Sequence, residues 1–220
     1  MEFQERLQKR FQPRFAIVYP LALYLLFFTV PDDSSLQSGI WFILMGIFIR
    51  IWANGYAIKT DKLTTCGPYA HVRNPLYLGS ALIVAGFIVM LKAYLLGGLF
   101  LAAFAVVYAK TIRMEEGTLL AIYNQDFVDY RKRVPAFWPT LSRYPLGSKW
   151  PFSYQRLIQS REYKLCLWVL IAIIGFHLKD ELLVEHEALN LKLWGLMALM
   201  LILAMSDIAF DYWRKSLRNN

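Results

Sequence analysis

The sequence predicts an all-α, polytopic membrane protein with about six transmembrane helices and one cytosolic amphipathic helix. Hydrophobic residues make up 57% of the 220 residues and charged residues 18%, and the mean hydropathy is +0.37. Soluble domains are nearer to half apolar and a quarter charged. The apolar residues also come in separate blocks, as membrane-spanning helices require. We therefore expect residues 1–220 to form a single membrane domain.

Six apolar blocks are candidate spans, and the first and fifth are near the lower length limit for crossing about 30 Å of hydrocarbon. The six blocks are Phe15–Val30, Ser38–Ile58, Leu76–Leu91, Ala93–Ile112, Tyr163–Leu178 and Leu191–Phe210. The N-terminal tail lacks a cleavable signal pattern, so we expect the first span to stay in the mature protein. Cys66 and Cys166 are isolated, which favours neither a disulfide framework nor a metal site.

Basic residues are distributed unequally between the connections. Nineteen of the 24 Lys and Arg residues lie in the two tails, in residues 59–75 and in residues 113–164, whereas the opposite connections contain only Lys92, Lys179 and Lys192. Positive charge marks the cytoplasmic side, so we expect both termini and both large connections in the cytosol. The net charge of +8 then requires no nucleic-acid partner. The membrane would be the cell membrane of a prokaryote or the endoplasmic reticulum of a eukaryote.

Two polar segments that are distant in sequence are expected to meet at the membrane surface. The third and fourth spans are almost contiguous and must form a tight antiparallel hairpin, so residues 59–75 and the segment from Arg113 become neighbours. The helix that follows Arg113 is too polar to span and has one apolar stripe, so we expect it to lie on the surface and cover this base. The stripe consists of Leu119, Tyr123, Phe127, Tyr130 and Val134.

The connection before the third span combines turn residues with groups that bind charge. Gly67-Pro68 is a turn sequence, and Asn74-Pro75 is a favoured helix start. Such a helix N-terminus binds carboxylate or phosphate, and Arg73 adds a positive charge. Tyr69 and Tyr77 offer aromatic faces to a cation or a purine. The plainer interpretation of this segment is a turn and a helix cap with no ligand.

Negative charge is expected beside this positive helix end. Glu115 and Glu116 lie at the foot of the fourth span, and we expect one of them to face inward because adjacent helical residues point about 100° apart. The combination suits a zwitterion, such as the amino-acid moiety of S-adenosylmethionine. The plainer interpretation of the two glutamates is that they carry solvated charge at the membrane interface.

Arg50, one turn from Asn54, is either a functional intramembrane residue or a side chain that reaches the headgroups.

These segments resemble the isoprenylcysteine carboxyl methyltransferase and phospholipid methyltransferase family, integral membrane enzymes that use S-adenosylmethionine. The first segment follows the pattern L-x-T-x-G-x-Y-x-x-x-R-[HN]-P-x-Y-x-G. Its residues here are Leu63, Thr65, Gly67, Tyr69, Arg73, Asn74, Pro75, Tyr77 and Gly79; the second part comprises Glu115, Glu116, Phe127, Tyr130, Val134 and Pro139. Phe127 replaces a tyrosine, and Asn74 stands where many members have His, so no imidazole role is transferred. The resemblance covers residues 46–139 and leaves residues 162–211 as an added helix pair.

The resemblance implies an S-adenosylmethionine site and a methyl transfer to a membrane-embedded or lipidic acceptor. The implied cofactor-binding residues are Leu63, Thr64, Tyr69, Asn74, Pro75, Leu76, Tyr77 and Glu115. Arg113 and Glu116 are the catalytic candidates, with Arg113 placed to hold an anionic acceptor. A prenylcysteine carboxylate is one such acceptor, by O-methylation, and a phospholipid amine is another. A carboxylate is already ionised at neutral pH, so the reaction would need no general base.

Two other functions remain open at this point. NADPH-dependent membrane sterol and lipid reductases share a similar hairpin and an R-H-P-x-Y-x-G segment, but they have Asn before that Tyr and Glu after the last Gly. This chain has Leu76 and Ser80 at those positions. A non-catalytic membrane scaffold would not need such residues at one hairpin base. Comparing the binding of S-adenosylmethionine and NADPH to the purified protein separates the three.

The charge asymmetry predicts six spans with both termini in the cytosol. A topology reporter fused after Asn220 should therefore give a cytosolic signal. A reporter inserted at Asp32-Asp33, in an acidic connection, serves as the opposite control. A non-cytosolic signal from the fusion after Asn220 would contradict the predicted topology.

Overall fold

The computed structural model describes residues 29, 31–58, 62–147, 149–183 and 190–219. This part of the chain is helical and contains no β-strand, which confirms the all-α class. The helices are α1 (Asp33–Tyr56), α2 (Pro75–Met90), α3 (Tyr94–Arg133), α4 (Tyr154–Ser160), α5 (Glu162–Leu183) and α6 (Leu191–Asn219), with a 3₁₀ turn at Gly67–Ala70. The first predicted span, Phe15–Val30, lies outside the described residues except for Thr29.

Three of the described helices are long and apolar enough to cross a membrane, namely α1, α3 and residues Leu191–Phe210 of α6. Helix α2 is apolar but has only 16 residues. The predicted count of about six spans is therefore not confirmed, although the membrane class is. Helix α1 starts five residues before its predicted boundary because Asp32 and Ser35 form a capping box, which satisfies the free N–H groups of the first turn.

Helices α1 and α2 pack together through glycines spaced seven residues apart on each helix. A Cβ atom on Gly39 would lie 2.5 Å from the Gly86 carbonyl oxygen, and a Cβ on Gly46 would lie 2.6 Å from that of Gly79. No side chain fits at these distances, so the two backbones approach directly. Small residues that allow such approach are a common basis of helix association in membranes.

The predicted hairpin is formed by α2 and α3, which are joined by the three residues Leu91–Ala93. Near this turn, Gly97 packs so closely on Ile88 that a Cβ would lie 2.4 Å from the Ile88 Cγ1 atom. At the other end, the rings of Tyr77 and Tyr108 make an edge contact at 4.7 Å. We call this far end the hairpin base. Contacts at both ends establish the antiparallel arrangement.

The predicted surface helix does not begin at a break near Arg113, because α3 runs on past that residue and is divided into two helical parts only by a kink at Asn124. Nothing in the sequence interrupts the helix after the fourth predicted span, and Gly117 stays helical. The helix bends only at Asn124, whose φ is 45° and ψ is −118°; Asn is among the residues that adopt positive φ most readily. The expectation of a distinct amphipathic helix lying on the surface is thus wrong in its boundary.

The apolar stripe itself packs as predicted. Phe127, Tyr130 and Val134 are buried with Ala70 and Tyr144, and Leu119 and Tyr123 pack against them. This cluster joins the end of α3 to the segment between α1 and α2. The stripe therefore covers the hairpin base, as the sequence indicates.

The C-terminal helices form an antiparallel pair in which α5 faces the core. Val169 and Phe176 of α5 belong to one hydrophobic cluster with Ile43 of α1 and Met90, the last residue of α2. Helix α6 packs on α5, with Leu193 buried at that contact. The added pair is thus joined to the rest of the molecule through α5.

Replacing Gly46 by Leu should disrupt the α1–α2 contact. The new side chain would collide with the Gly79 carbonyl and Ile83, and overpacking of this kind costs about 1–3 kcal/mol or more. Gly98→Leu is the matched control, because no atom lies within 4 Å of a Cβ at that position. Thermal unfolding in detergent should show a lower Tm for Gly46→Leu alone; equal Tm values would contradict the close approach.

Candidate functional site

A cavity of about 430 Å³ lies at the hairpin base, between the segment before α2 and the middle of α3. All eight residues named as cofactor-binding candidates line it: Leu63, Thr64, Tyr69, Asn74, Pro75, Leu76, Tyr77 and Glu115. Glu116 also lines it, together with Arg73 and the partly buried members of the apolar stripe. The volume is within the range of roughly 300–1,000 Å³ that is common for small-molecule sites.

The wall before α2 is shaped by a turn that requires glycine. Gly67 has a φ of +59°, and a Cβ there would lie 2.5 Å from the ring of Tyr56. Pro68 then opens the short 3₁₀ turn, and the Val72 N–H donates to its carbonyl at 3.0 Å. The Ile58 N–H donates to Thr64 Oγ1 at 3.1 Å. Together these contacts place Thr64 and Tyr69 on the cavity side of the segment.

The irregular segment after α3 holds this wall in place by backbone hydrogen bonds. The Arg73 N–H donates to the Pro135 carbonyl at 2.9 Å, and the Thr140 N–H donates to the His71 carbonyl at the same distance. The Tyr144 N–H donates to the Ala70 carbonyl at 3.0 Å. Residues 134–144 therefore act as a clasp across the segment before α2, and we use that name for them below.

The start of α2 has no side-chain cap. Asn74 occupies the N-cap position, as predicted, but its Nδ2 donates to the Ala136 carbonyl of the clasp at 3.0 Å instead of capping the helix. The Tyr77 and Leu78 N–H groups bond to the Asn74 carbonyl at 3.2 Å. Pro75 and Leu76, the first two residues of the helix, line the cavity. The positive end of the α2 dipole thus faces the cavity without a side-chain cap.

Both glutamates line the cavity, but Glu115 is exposed, whereas the Glu116 side chain is only 12% exposed. They differ in their partners. Glu115 Oε1 accepts a hydrogen bond of 2.6 Å from the Tyr77 hydroxyl across the hairpin. Within the described part of the chain, Glu115 makes no ion pair. Its negative charge therefore remains available to a cationic ligand.

Glu116, by contrast, is neutralised by Arg73. The Arg73 Nη2 lies 2.7 Å from Glu116 Oε1, and both side chains are nearly buried, at 11% and 12% exposure. Arg73 also donates to the carbonyls of Arg131 and Val134 at the end of α3. The positive charge that the sequence assigns to ligand binding is therefore used to fasten the segment before α2 to α3.

Arg113 is exposed and is not among the residues that line the cavity. It also does not neutralise Glu116, because Arg73 does so. Its role toward an acceptor is untested and stays a prediction. The structure thus brings together the eight cofactor candidates and Glu116, but not Arg113.

Aromatic side chains form much of the inner wall. The Tyr130 hydroxyl donates to the Tyr69 carbonyl at 2.6 Å. Desolvation by burial raises the pKa of the Tyr69 phenol above the ordinary value. This hydroxyl therefore stays protonated at neutral pH and presents no negative charge to an anionic ligand.

Arg50 is not among the residues that line the cavity. Its guanidinium forms a buried ion pair with Glu162, the first residue of α5, and also donates to the Leu76 carbonyl at 3.1 Å. Asn54, on the same face as predicted, donates to Glu162 Oε2 at 3.0 Å. Sequence reasoning missed Glu162, because nothing in its local pattern links it to a residue 112 positions away.

A second cavity of about 260 Å³ lies on the other side of the Gly67 turn. It is lined by Trp52, Tyr56, Cys66, Gly67, His71, Arg143 and Trp150. Burial raises the pKa of the Cys66 thiol, which makes it a poor nucleophile. Among the described residues, no group of three or more His, Cys, Asp or Glu side chains is arranged to hold a metal ion.

Comparison with known proteins gives one family and two relatives. The family model for phospholipid methyltransferases matches residues 34–126. The cobalt-zinc-cadmium resistance protein CzcN of Cupriavidus metallidurans is 34% identical over 127 residues, which cover 56% of this chain and 58% of the relative. The nickel-cobalt-cadmium resistance protein NccN of Alcaligenes xylosoxydans xylosoxydans is 34% identical over 113 residues, which cover 50% and 53%.

The matches thus span somewhat more than half the length of these curated relatives. No solved structure matches. The matched family segment contains α2 and most of α1 and α3, and therefore every residue that lines the cavity except Phe127 and Tyr130. Helices α4, α5 and α6 lie outside it.

Proposed function

We propose that this membrane protein transfers a methyl group from S-adenosylmethionine to a lipidic acceptor, because the family model for phospholipid methyltransferases matches residues 34–126. The family supports methyl transfer in general. The observation that carries the finer proposal is the arrangement of one cavity. The start of α2, which has no side-chain cap, lies on one side, and the Glu115 carboxylate, which makes no ion pair with another described residue, lies on the other.

The residues present fit the cofactor. Its amino-acid moiety has a carboxylate, which suits the positive end of α2, and an ammonium group, which suits Glu115. The Tyr69 and Tyr77 rings offer faces to a sulfonium. The Tyr77 hydroxyl also donates a hydrogen bond to the Glu115 carboxylate, so Glu115 is oriented before a ligand binds.

S-adenosylmethionine supplies an activated methyl group, so the chain has mainly to position the two reactants. Such alignment contributes a large part of the rate in reactions of this kind. The cavity wall is held for this purpose by Arg73, Glu116 and the clasp, which limit the movement of the segment before α2. Glu116 would then act by holding Arg73. An ionised carboxylate acceptor would need no general base.

The acceptor would approach from the bilayer, since the cavity opens at the base of an apolar hairpin. A prenylcysteine carboxylate and a phospholipid amine both remain compatible with this approach. We also propose that the hairpin base faces the cytosol, because the connections on that side contain most of the basic residues. Arg113 would hold an anionic acceptor from outside the cavity.

Glu115→Ala should abolish cofactor binding, because it removes the carboxylate that receives the ammonium group. We expect the unmodified protein to bind S-adenosylmethionine in the micromolar range, about −8 kcal/mol. Tyr77→Ala should weaken binding strongly. Isothermal titration of the protein in detergent measures both effects, with NADPH as the competing ligand.

The control is Asp126→Ala, which removes an exposed carboxylate from α3 outside the cavity and should bind normally. Unchanged binding in a folded Glu115→Ala protein would contradict the proposed site. Binding of NADPH in place of S-adenosylmethionine would favour a reductase.

Arg113→Lys should keep cofactor affinity and lower the transfer rate if the acceptor is anionic. Arg binds a carboxylate or phosphate through two parallel hydrogen bonds, which Lys cannot reproduce. The expected loss is about 1.5–3 kcal/mol, as for one charge-assisted hydrogen bond. Labelled cofactor and membrane extracts provide the rate, and Lys110→Arg, one turn earlier on the same helix, is the control. Normal turnover would show that Arg113 does not hold the acceptor.

A further inference from the structure

We infer that Glu162, at the start of the added C-terminal helix pair, is a positioning residue for the cofactor cavity and acts through Arg50. The inference rests on the proposed function, because it concerns how the same cavity is held. It assigns to the C-terminal pair a role in a site to which none of that pair's described residues contributes a lining side chain.

Arg50 connects three helices with one guanidinium. From α1 it pairs with both carboxylate oxygens of Glu162, and its Nη2–Oε2 distance is 3.2 Å. Its Nη1 donates to the Leu76 carbonyl at 3.1 Å and to Ser80 Oγ at 2.6 Å, both in α2. The donors of the guanidinium are thus divided between α5 and the first turns of α2.

The α2 end of this network is the wall of the cavity. Leu76 lines the cavity itself, and the next residue, Tyr77, bonds to Glu115. The Arg50 side chain reaches Leu76 only because residue 79 is glycine, since a Cβ there would lie 2.5 Å from Arg50 Cγ. A shift of Arg50 would therefore move the helix start that we assign to the cofactor carboxylate.

The α5 end supplies the charge that fixes Arg50. The Glu162 side chain is only 6% exposed, and Asn54 donates to its Oε2 at 3.0 Å. Its place in the first turn of α5 is favourable for a negative charge. If the Arg50 guanidinium lost Glu162 in this largely buried environment, its charge would be uncompensated and the side chain would have to rearrange. The position of Arg50 thus depends on Glu162.

A second ion pair in the same helix pair provides a comparison. Lys164 Nζ lies 2.9 Å from Asp207 Oδ1, and the Asp207 side chain is 9% exposed. This pair joins α5 to α6. The two carboxylates are alike in burial and pairing, but the partner of Glu162 is Arg50, which bonds to α2 at the cavity.

The experiment compares Glu162→Gln with Asp207→Asn, each of which turns a paired carboxylate into an amide. Binding of S-adenosylmethionine should weaken about tenfold in Glu162→Gln, a common size for coupling between sites, and stay normal in Asp207→Asn. Hydrogen exchange over residues 72–80 should become faster in Glu162→Gln but not in Asp207→Asn. Arg50→Lys keeps a charge for Glu162 but cannot make all the bonds to α2, so it should show both defects of Glu162→Gln.

The outcomes are distinguishable. If the unmodified protein does not bind S-adenosylmethionine, the proposed function fails, and the exchange data still test whether Glu162 positions the start of α2. If Glu162→Gln, or Arg50→Lys should Glu162→Gln not fold, shows normal exchange and normal cofactor affinity, the inference is overturned. Equal effects of Glu162→Gln and Asp207→Asn would show a merely structural role and would also overturn it.

Discussion

The direct approach of the α1 and α2 backbones is the constraint on which the cavity depends. Gly39 and Gly46 meet Gly86 and Gly79 at distances that exclude a Cβ atom. The same approach brings Arg50 of α1 within hydrogen-bonding distance of the first turn of α2. Side chains at these positions would separate the helices, and the start of α2 would lose the support of Arg50.

Around this packed pair, the wall of the cavity is made of segments that have little regular structure of their own. The turn at Gly67 and the clasp are joined by backbone hydrogen bonds, and Arg73 adds a nearly buried ion pair to Glu116. Removing one partner from such a pair is costly, because the other charge remains desolvated. Glu115 and Glu116 are thus adjacent in sequence but differ in role. One is held by Arg73, whereas the other remains available to a ligand.

Much of the cavity was predictable because its residues lie in two short motifs, one before α2 and one in α3, which a tight hairpin brings together at its base. The spacing of Phe127 and Tyr130 likewise indicates which face of α3 is buried. Glu162 was not predictable, because its contact with Arg50 depends on how α5 packs in three dimensions. The bonds of the clasp were missed because they are made by backbone groups, which leave no residue pattern. The glycines seven residues apart were a usable signal in the sequence.

The continuity of α3 gives the bilayer a mechanical connection to the cavity. Glu115 lies 21 residues after Tyr94, and a rise of 1.5 Å per residue places it about 32 Å along the helix. That length is close to the thickness of the hydrocarbon core. Transmembrane helices adjust to thinner or thicker bilayers by tilting. A tilt of α3 relative to α2 would change the separation between Glu115 and the start of α2, so lipid composition would act on the geometry of the cavity without any lipid binding there.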